Sequence, residues 1–595
     1  MQGETYKNRE EEFKGKAKRI GKQLFYLSMG RLVLFLALIY VGYMLFTTGI
    51  IGLILLLLAG LFGFIALIKR GANLKEDKAF YEAVAAINKE EIASLDGNWN
   101  NRFDGAKYRK EAHPYAYDLD IFGKRSIFQW INRAETFHGQ DKLAGWLANA
   151  NLSAASIHKK QEAVKELSKA LDFRQKLGAR GRVNQLDKST FEEMIEWLQK
   201  PTQVVGKRWA LLLSVIPVIM LLSTLAWGLG YLTSSTYTYF IVGSMAITGF
   251  FLKKINEEYA VATKVLSHLK TYAVFFELIA EQNFESEVLQ ALQKKLDTEK
   301  GAAHSIRSFH KVLEAFDNRN NILIGIVLNI LFLWDLNCVW RIQKWKSKHQ
   351  ADYKAWFDAL SEIEAYSGLA NLHYNQPAWA FPETNSSYRY QYVEAGHPFI
   401  NDRERVNNNF ELSGEGHFAI VTGANMAGKS TFLRSVGINL VLAMAGAPVC
   451  AKAFTFTPVQ LFSSMRTEDS LQDQASYFFA ELSRLKQIVD RLNEGERLFI
   501  ILDEILKGTN SEDKASGSKA FLRSLTGKKA MGAIATHDLS LCDLETELPE
   551  SVKNFSFEVE FAGDDLKFDY KLRKGVCQNM NATFLMKKMG IIPSE

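Results

Sequence analysis

Cysteine is scarce in this chain: four among 595 residues, at Cys338, Cys450, Cys542 and Cys577. They lie far apart, with no C-x-x-C pair and no metal-ligand spacing. That excludes a disulfide framework and a cysteine-based metal site, and fits buried thiols in a reducing cytosol. No repeat of about 20–50 residues and no long low-complexity segment occurs, so the chain does not read as a solenoid. No small-residue cleavage site stands out near the first apolar stretch, which is too long and doubled for a secretory leader; a cleaved signal peptide is not expected. Charge of neither sign dominates. Lys+Arg number 72 against 66 Asp+Glu, for a net charge of +6 and a pI of about 8.7. That excess is too weak to argue nucleic-acid binding, and basic residues beside apolar segments plus a solvated surface account for much of it. What is present is apolar content of 47% with 23% charged residues, and length enough for several domains.

The apolar residues are unevenly spread. Leu32 to Phe46 is apolar apart from glycine and tyrosine, Thr47-Thr48-Gly49 interrupts, and Ile50 to Ile68 is apolar again. This predicts a membrane hairpin: the first arm is near the lower length limit for spanning, the second close to the usual ~20 residues. A second pair follows, with Trp209 to Leu232 apolar around Pro217, a break at Ser234-Ser235-Thr236, and Tyr239 to Leu252. Arg31, Lys69-Arg70, Lys207-Arg208 and Lys253-Lys254 flank the two pairs, which the positive-inside rule assigns to the cytoplasmic side. The competing possibility is buried core hairpins, since runs of about 10–14 residues are often core helices. A third run, Ile322 to Trp334, is shorter and leads into Asp335, Asn337, Arg341, Lys344 and Lys346. It is expected to be a buried soluble helix, although lipid contact by 322–340 is left open.

Residues 1–31 are charge-rich, from Glu10-Glu11-Glu12 to Lys14, Lys16, Lys18, Arg19 and Lys22. They suggest a helix lying on the cytoplasmic membrane face against anionic lipid, or else a solvated tail. Residues 71–208 and 253–380 read as mostly helical, as in Ile157, Val164, Leu167, Leu171 and Phe173 interleaved with charge. Pro377, Pro382 and Asn385-Ser386-Ser387 mark a join, after which short apolar runs alternate with helices, as in an α/β domain over 390–595.

That domain holds the most informative stretch, Thr422 to Thr431, T-G-A-N-M-A-G-K-S-T. It contains G-x-x-x-x-G-K-S between an apolar strand and a helix, the context a phosphate-binding P-loop needs. Gly423 and Gly428 let the backbone N–H groups face phosphates, Lys429 reaches the β/γ-phosphates, and Ser430 offers its hydroxyl to Mg²⁺. Leu498-Phe-Ile-Ile-Leu502 is a strand ending in Asp503-Glu504, a Walker B pattern. Asp503 would serve Mg²⁺ through water, and Glu504 would orient and polarise an attacking water. Ala533-Ile-Ala-Thr-His537 ends another strand, so that His537 could sense a γ-phosphate or hold the water; a lone histidine is otherwise a structural residue. Gly508-Thr509-Asn510-Ser511 could reach across a dimer interface. Ser476 heads a predicted helix and suits a γ-phosphate presented by a second subunit, or is an ordinary N-cap.

The sequence T-G-A-N-M-A-G-K-S-T-F-L-R at 422–434 resembles the MutS mismatch-repair family, whose loop reads T-G-x-N-M-x-G-K-S-T. Asn425 and Met426 separate it from a generic P-loop. The resemblance continues through Gly396-His397-Pro398, Ser476 with Phe478 and Glu481, D-E-I-L-K-G-T at 503–509, A-T-H at 535–537, Y-K-L-R-K-G at 570–575 and G-I-I-P at 590–593. It implies an ATP site formed by Gly423, Asn425, Met426, Gly428, Lys429, Ser430 and Thr431, completed in trans by Ser476 of a second copy, with Mg²⁺ at Ser430 and Asp503. A weaker resemblance, at Tyr117 to Gly123, Asn132-Arg133, Thr136, Gly139, Leu143 to Leu147, Gln161 to Leu167 and Ser361 to Ala370, fits the family's helical core. The departures are large. Repair members begin with a mismatch-reading domain carrying Phe-x-Glu, where residues 1–110 here hold an apolar hairpin. Phe80-Tyr81-Glu82 has the letters without that domain. The second hairpin, 209–252, stands where the family inserts a DNA clamp, and Lys514 replaces a usual glycine.

The expected architecture is therefore an α-helical core with two transmembrane hairpins, plus a C-terminal α/β P-loop ATPase domain of ABC type. The expected function is a membrane-anchored ATPase working as a homodimer, using ATP and Mg²⁺, touching membrane lipid, with its soluble domains in the cytoplasm at a bacterial inner membrane. DNA is the family-implied ligand, without a visible DNA-reading domain or basic stripe. The alternatives are an ABC-type transport or membrane-remodelling ATPase, against which stand the absence of Leu-Ser-Gly-Gly-Gln and of intramembrane charges, and a nucleotide-switched scaffold.

Overall fold

Two long helices open the chain, Gln2–Thr48 of 47 residues and Gly52–Leu95 of 44, in a computed structural model that describes residues 2–183, 188–200, 204–296, 301–466, 477–507, 509–562 and 565–578. No proline precedes Pro114, so nothing interrupts the helical ladder before Gly49 turns the chain at φ +66°. The helices run antiparallel and close together. A Cβ on Gly60 would sit 2.5 Å from Leu38 Cδ2, so glycine allows the approach there. The most apolar 18-residue window of each helix is 0% buried, with Phe46 90% and Phe62 77% exposed.

The charged N-terminal segment differs from the expectation of a helix laid on a membrane face. It is collinear with the apolar arm, and its first turns dock on the helical core: Tyr6, Phe13 and Ala17 are buried. Tyr6 donates its hydroxyl proton to Asn375 Oδ1 at 2.8 Å, and Arg9 pairs with Asp172 at 2.9 Å. Phe80 and Tyr81 pack here too, Tyr81 beside Phe13 and Phe80 under Arg180, as parts of a helix interface.

The second hairpin joins Lys207–Gly228, with Pro217 inside it, to Ser234–Glu281, a 48-residue helix. Thr233 caps the second arm by accepting from Thr236 N–H at 3.3 Å, and Trp227 stacks on Tyr237 across the turn. The apolar windows of both arms are 17% buried, so this pair is not packed inside the core. By length and composition the described residues contain four helices able to cross a membrane.

Ile322–Phe332 departs from the expected buried soluble helix. Only Gly325 is buried in it, while Ile322 and Leu323 are 75% and 78% exposed. It leans on the second hairpin, where Ser244 Oγ donates to Ile330 O at 2.7 Å, and it meets Trp334–His349 at a 76° bend. The run is too apolar all round to present a polar face, so packing one side leaves the rest outside.

The core between and beneath the hairpins is helical, organised on Asp352–Asn375, 24 residues that are buried through most of their length. Residues 96–126 are the exception to the helical expectation, with only a short 3₁₀ turn at Ala106–Tyr108. A four-stranded sheet follows in the order Glu383–Thr384, Ala453–Phe456, Arg389–Ala395, Asn408–Ser413. A six-stranded sheet follows in the order Asp565–Lys574, Val552–Ala562, Phe418–Gly423, Ala530–Ala535, Leu498–Asp503, Gln460–Ser464. Its pairs are parallel except the first, and the parallel strands end together, with Val421 and Asp503 both opposite Ala535.

Candidate functional site

The carboxyl ends of three adjacent parallel strands converge, the usual place for a ligand site in an α/β sheet. Phe418–Gly423 is buried throughout and feeds, through residues 424–428, the helix Lys429–Ala445. Gly423 and Gly428 have φ of +152° and +107°, and a Cβ on Gly423 would lie 2.8 Å from Phe557 O. Met426 adopts φ +65° and is 81% exposed, and Asn425 is exposed beside it. Asn425, Met426, Ser430 and Thr431 line a cavity of about 680 Å³, whose wall also includes Asp503 and Tyr570.

Three predicted residues meet at its floor. Lys429 Nζ donates to Gly423 O at 2.8 Å and Ala424 O at 3.0 Å, and lies 3.1 Å from His537 Nε2. The same Nε2 lies 2.9 Å from Glu504 Oε1. One imidazole nitrogen cannot accept from the ammonium and donate to the carboxylate at once, so these contacts are alternatives set by the tautomer. The hydrogen bond from His537 is the largest influence on Glu504 and holds its carboxyl down at about 2 despite burial, so it is ionised at neutral pH. Burial lowers the Lys429 ammonium, while Asp503 and Glu504 act in the opposite sense. Glu504 itself sits at φ +54°, a left-handed backbone costing of order 1–3 kcal/mol that the surroundings must hold.

What holds it was not read from the sequence. Glu481, noted there only as part of a resemblance, is buried and accepts from the backbone N–H groups of Leu506 and Lys507 at 2.5 and 3.0 Å. It thereby fixes the turn after Glu504. Its helix, Tyr477–Asn493, is also tied to the core by Arg484, which donates to His113 O and Pro114 O at 2.8 Å. Asp118, buried, accepts from Ser463 Oγ at 2.6 Å, and Asp120 pairs in bidentate fashion with Arg466 at 2.7 Å. The D-L-D of residues 118–120 is thus the core's grip on the edge of the six-stranded sheet. Its sequence signals were two acids flanking a leucine and the weak resemblance at Tyr117 to Gly123, neither of which named a partner.

Asn510 caps Ser511–Thr526, accepting from Asp513 N–H at 2.8 Å. Ser476 and Gly508 lie outside the described residues. No cluster of three or more His, Cys, Asp or Glu suited to a metal occurs among the described residues. A hydroxyl and one carboxylate, as Ser430 and Asp503 offer beside the loop, are what Mg²⁺ carried on phosphates requires of a protein. The glycine-wrapped loop, the helix N-terminus behind it and the buried lysine fit a nucleoside triphosphate.

The fold and the loop define the C-terminal region as an α/β domain with the geometry of a phosphate-binding site. Residues 419–594 match the MutS domain V family. Over 233 residues it is 33% identical to the DNA mismatch repair protein MutS of Persephonella marina, covering 38% of this chain and 26% of that protein. Over 240 residues it is 32% identical to the DNA mismatch repair protein MutS of Aquifex pyrophilus, covering 40% and 28%. It is 29% identical over 201 residues to human MutS protein homolog 4, covering 33% and 21%. The chain thus spans about a quarter of the length of the curated relatives it matches.

Proposed function

We propose that this chain is a membrane-anchored, MutS-like ATPase with a P-loop domain of ABC type, working as a homodimer in which ATP binding and hydrolysis drive a conformational change passed through the helical core to the hairpins. The observation that carries the reading is the meeting of Lys429, His537 and Glu504 within hydrogen-bond distance at the mouth of the glycine loop. Lys429 would turn from the Gly423 and Ala424 carbonyls to the β/γ-phosphates. His537 Nε2, released from the ammonium, would then donate to Glu504 and hold it toward the attacking water. Ser430 and Asp503 would hold Mg²⁺, which when bound neutralises charge on the phosphate oxygens. Asn425, Met426 and Thr431 would frame the nucleotide, and Ser476 would complete the partner's site. Four exposed apolar helices support membrane anchoring, with the soluble domains in the cytoplasm at a bacterial inner membrane.

The test is ATP turnover by the full chain in lipid. Glu504→Gln is expected to lower the rate by about 10²- to 10⁴-fold while keeping nucleotide binding. Equal rates near zero in both proteins would favour a nucleotide-switched scaffold. DNA enters as a candidate ligand from the relatives' names. Tight, salt-dependent and mismatch-selective binding would move the function from the membrane to DNA.

A further inference from the structure

A second cavity, of about 360 Å³, lies where the end of the first hairpin, the non-helical segment after it, the Asp352–Asn375 helix and the loop 398–405 meet. Its size is within the range of about 300–1,000 Å³ typical of small-molecule sites. Three rings form an aromatic cluster in its wall: Trp99, Trp130 and Phe399, with centroids 5.6–5.8 Å apart. Two lining residues, Ser94 and Trp99, are more than nine-tenths buried, and Ser94 Oγ and Trp99 Nε1 have no hydrogen-bond partner among the described residues. Buried polar atoms are nearly always paired, so these two need a partner that the described residues do not supply.

Three arginines and two aspartates, Asp96 and Asp402, line the cavity. Arg133 is committed to Glu91, and Arg405 is paired with Asp402 at 2.8 Å. Arg125 is exposed and its guanidinium makes no hydrogen bond or ion pair among the described residues. Its backbone is at φ +56°, held by a bond from its N–H to Gln129 Oε1 at 2.7 Å. An uncommon backbone that sets a free cation at a cavity rim is the kind of strain found at binding sites.

We infer that this cavity is a second ligand site, for a small molecule combining a planar ring with an anionic group, of mononucleotide size. The aromatic wall offers the ring a stacking face, Arg125 takes the anion, and Ser94 Oγ and Trp99 Nε1–H supply directed hydrogen bonds. Such an occupant lies against the loop 398–405. The other side of this loop belongs to the first site, with His397, Ile400 and Glu404 lining the nucleotide cavity and Ile400 lining both. Gly396 O, two residues before this loop, accepts from Asn439 of the P-loop helix at 3.1 Å. The inference does not rest on ATP turnover at Glu504.

The test is calorimetric titration of AMP into the full chain in detergent, using Lys429→Ala to cripple the first site. Binding is expected to persist in Lys429→Ala. It should weaken at least about tenfold when Arg125→Glu is added and several-fold when Trp99→Phe, which keeps the ring and removes the N–H, is added. Unchanged melting temperatures would show that these variants fold. Absence of AMP binding to Lys429→Ala overturns the inference, as does binding indifferent to Arg125→Glu. Inorganic phosphate binding as tightly as AMP would also overturn it, because the ring would then contribute nothing.

Discussion

The strand Phe418–Gly423 and the arms of the first hairpin are built from the same kinds of residue, and they meet opposite fates. Every residue of the strand is buried, whereas the most apolar windows of the two arms are 0% buried. The difference is one of length and period. A six-residue run can be covered on both faces by helices, as parallel strands are. An apolar helix of 18 residues or more shows its side chains in all directions, and one neighbour covers only a stripe. The first region stabilises itself by hiding apolar surface from water; the second leaves that surface outside, which is the surface the proposed membrane anchoring would cover.

The sharpest way to break this comparison is to put a charge into each region. Ile420→Lys would bury an unpaired ammonium in the strand at a cost of several kcal/mol, and the domain is expected to lose its cooperative melting transition. Phe62→Arg adds a charge at a site that is 77% exposed. In water that change would be nearly neutral, whereas in a bilayer it costs about 2.5–3.5 kcal/mol. The fraction of chain retained in membranes after alkaline extraction decides the matter, and unchanged retention sinks the membrane assignment.

A second variant probes how the two regions are joined. Glu91, near the end of the first hairpin, is buried and accepts from Arg102 at 3.0 Å, Arg133, Asn371 at 3.0 Å and Asn375 at 3.1 Å. Burial alone would raise its carboxyl, but the two guanidinium groups outweigh it and hold it well below the ordinary range. Glu91→Ala strands two cations and is expected to lower stability by about 3–5 kcal/mol, read by thermal or denaturant melting. A loss under about 1 kcal/mol would mean that the hairpin docks without this node.

The smallest effect concerns pH. Glu364, buried in the Asp352–Asn375 helix, accepts from Glu135 N–H, Thr136 N–H and the Thr136 hydroxyl with no ion pair among the described residues, and burial raises it to about 7. A raised acid gives its stability below the ordinary carboxylate range and loses it as pH climbs through the raised value. Melting temperature should therefore fall from about pH 5 to about pH 8, and Glu364→Gln should flatten that slope. A slope unchanged by the substitution removes Glu364 as its source.

Much of the candidate site was legible because its groups sit at the ends of apolar strands. Lys429, Glu504 and His537 each follow a buried run, and a parallel sheet aligns such ends on one edge. Glu481, Asp118, Asp120 and Glu91 were not legible as supports. Their partners lie far away in sequence, and a lone acid on a helix or in a loop looks the same whether it is solvated or clamps a turn. The N-terminal segment and Ile322–Phe332 were misread for a related reason. Composition tells that a segment is charged or apolar, and does not tell which neighbour it lies against. That left the first segment laid on a membrane face instead of docked through Tyr6, and the second inside the core instead of beside the second hairpin.

By itself the sequence determined the phosphate loop, the resemblance of its domain to a known family, the acids that end the neighbouring strand and the existence of two long apolar hairpins. These are set by local spacing, by periods of two or 3.6 residues and by run length. Only the tertiary structure decided that one Nε2 stands between Lys429 and Glu504, that Glu481 holds the turn beyond Glu504, and that Glu91 joins hairpin to core. It alone placed an aromatic and arginine-bearing cavity behind the loop 398–405. Each of these depends on side chains brought together from distant parts of the chain, and it is close packing that brings them together.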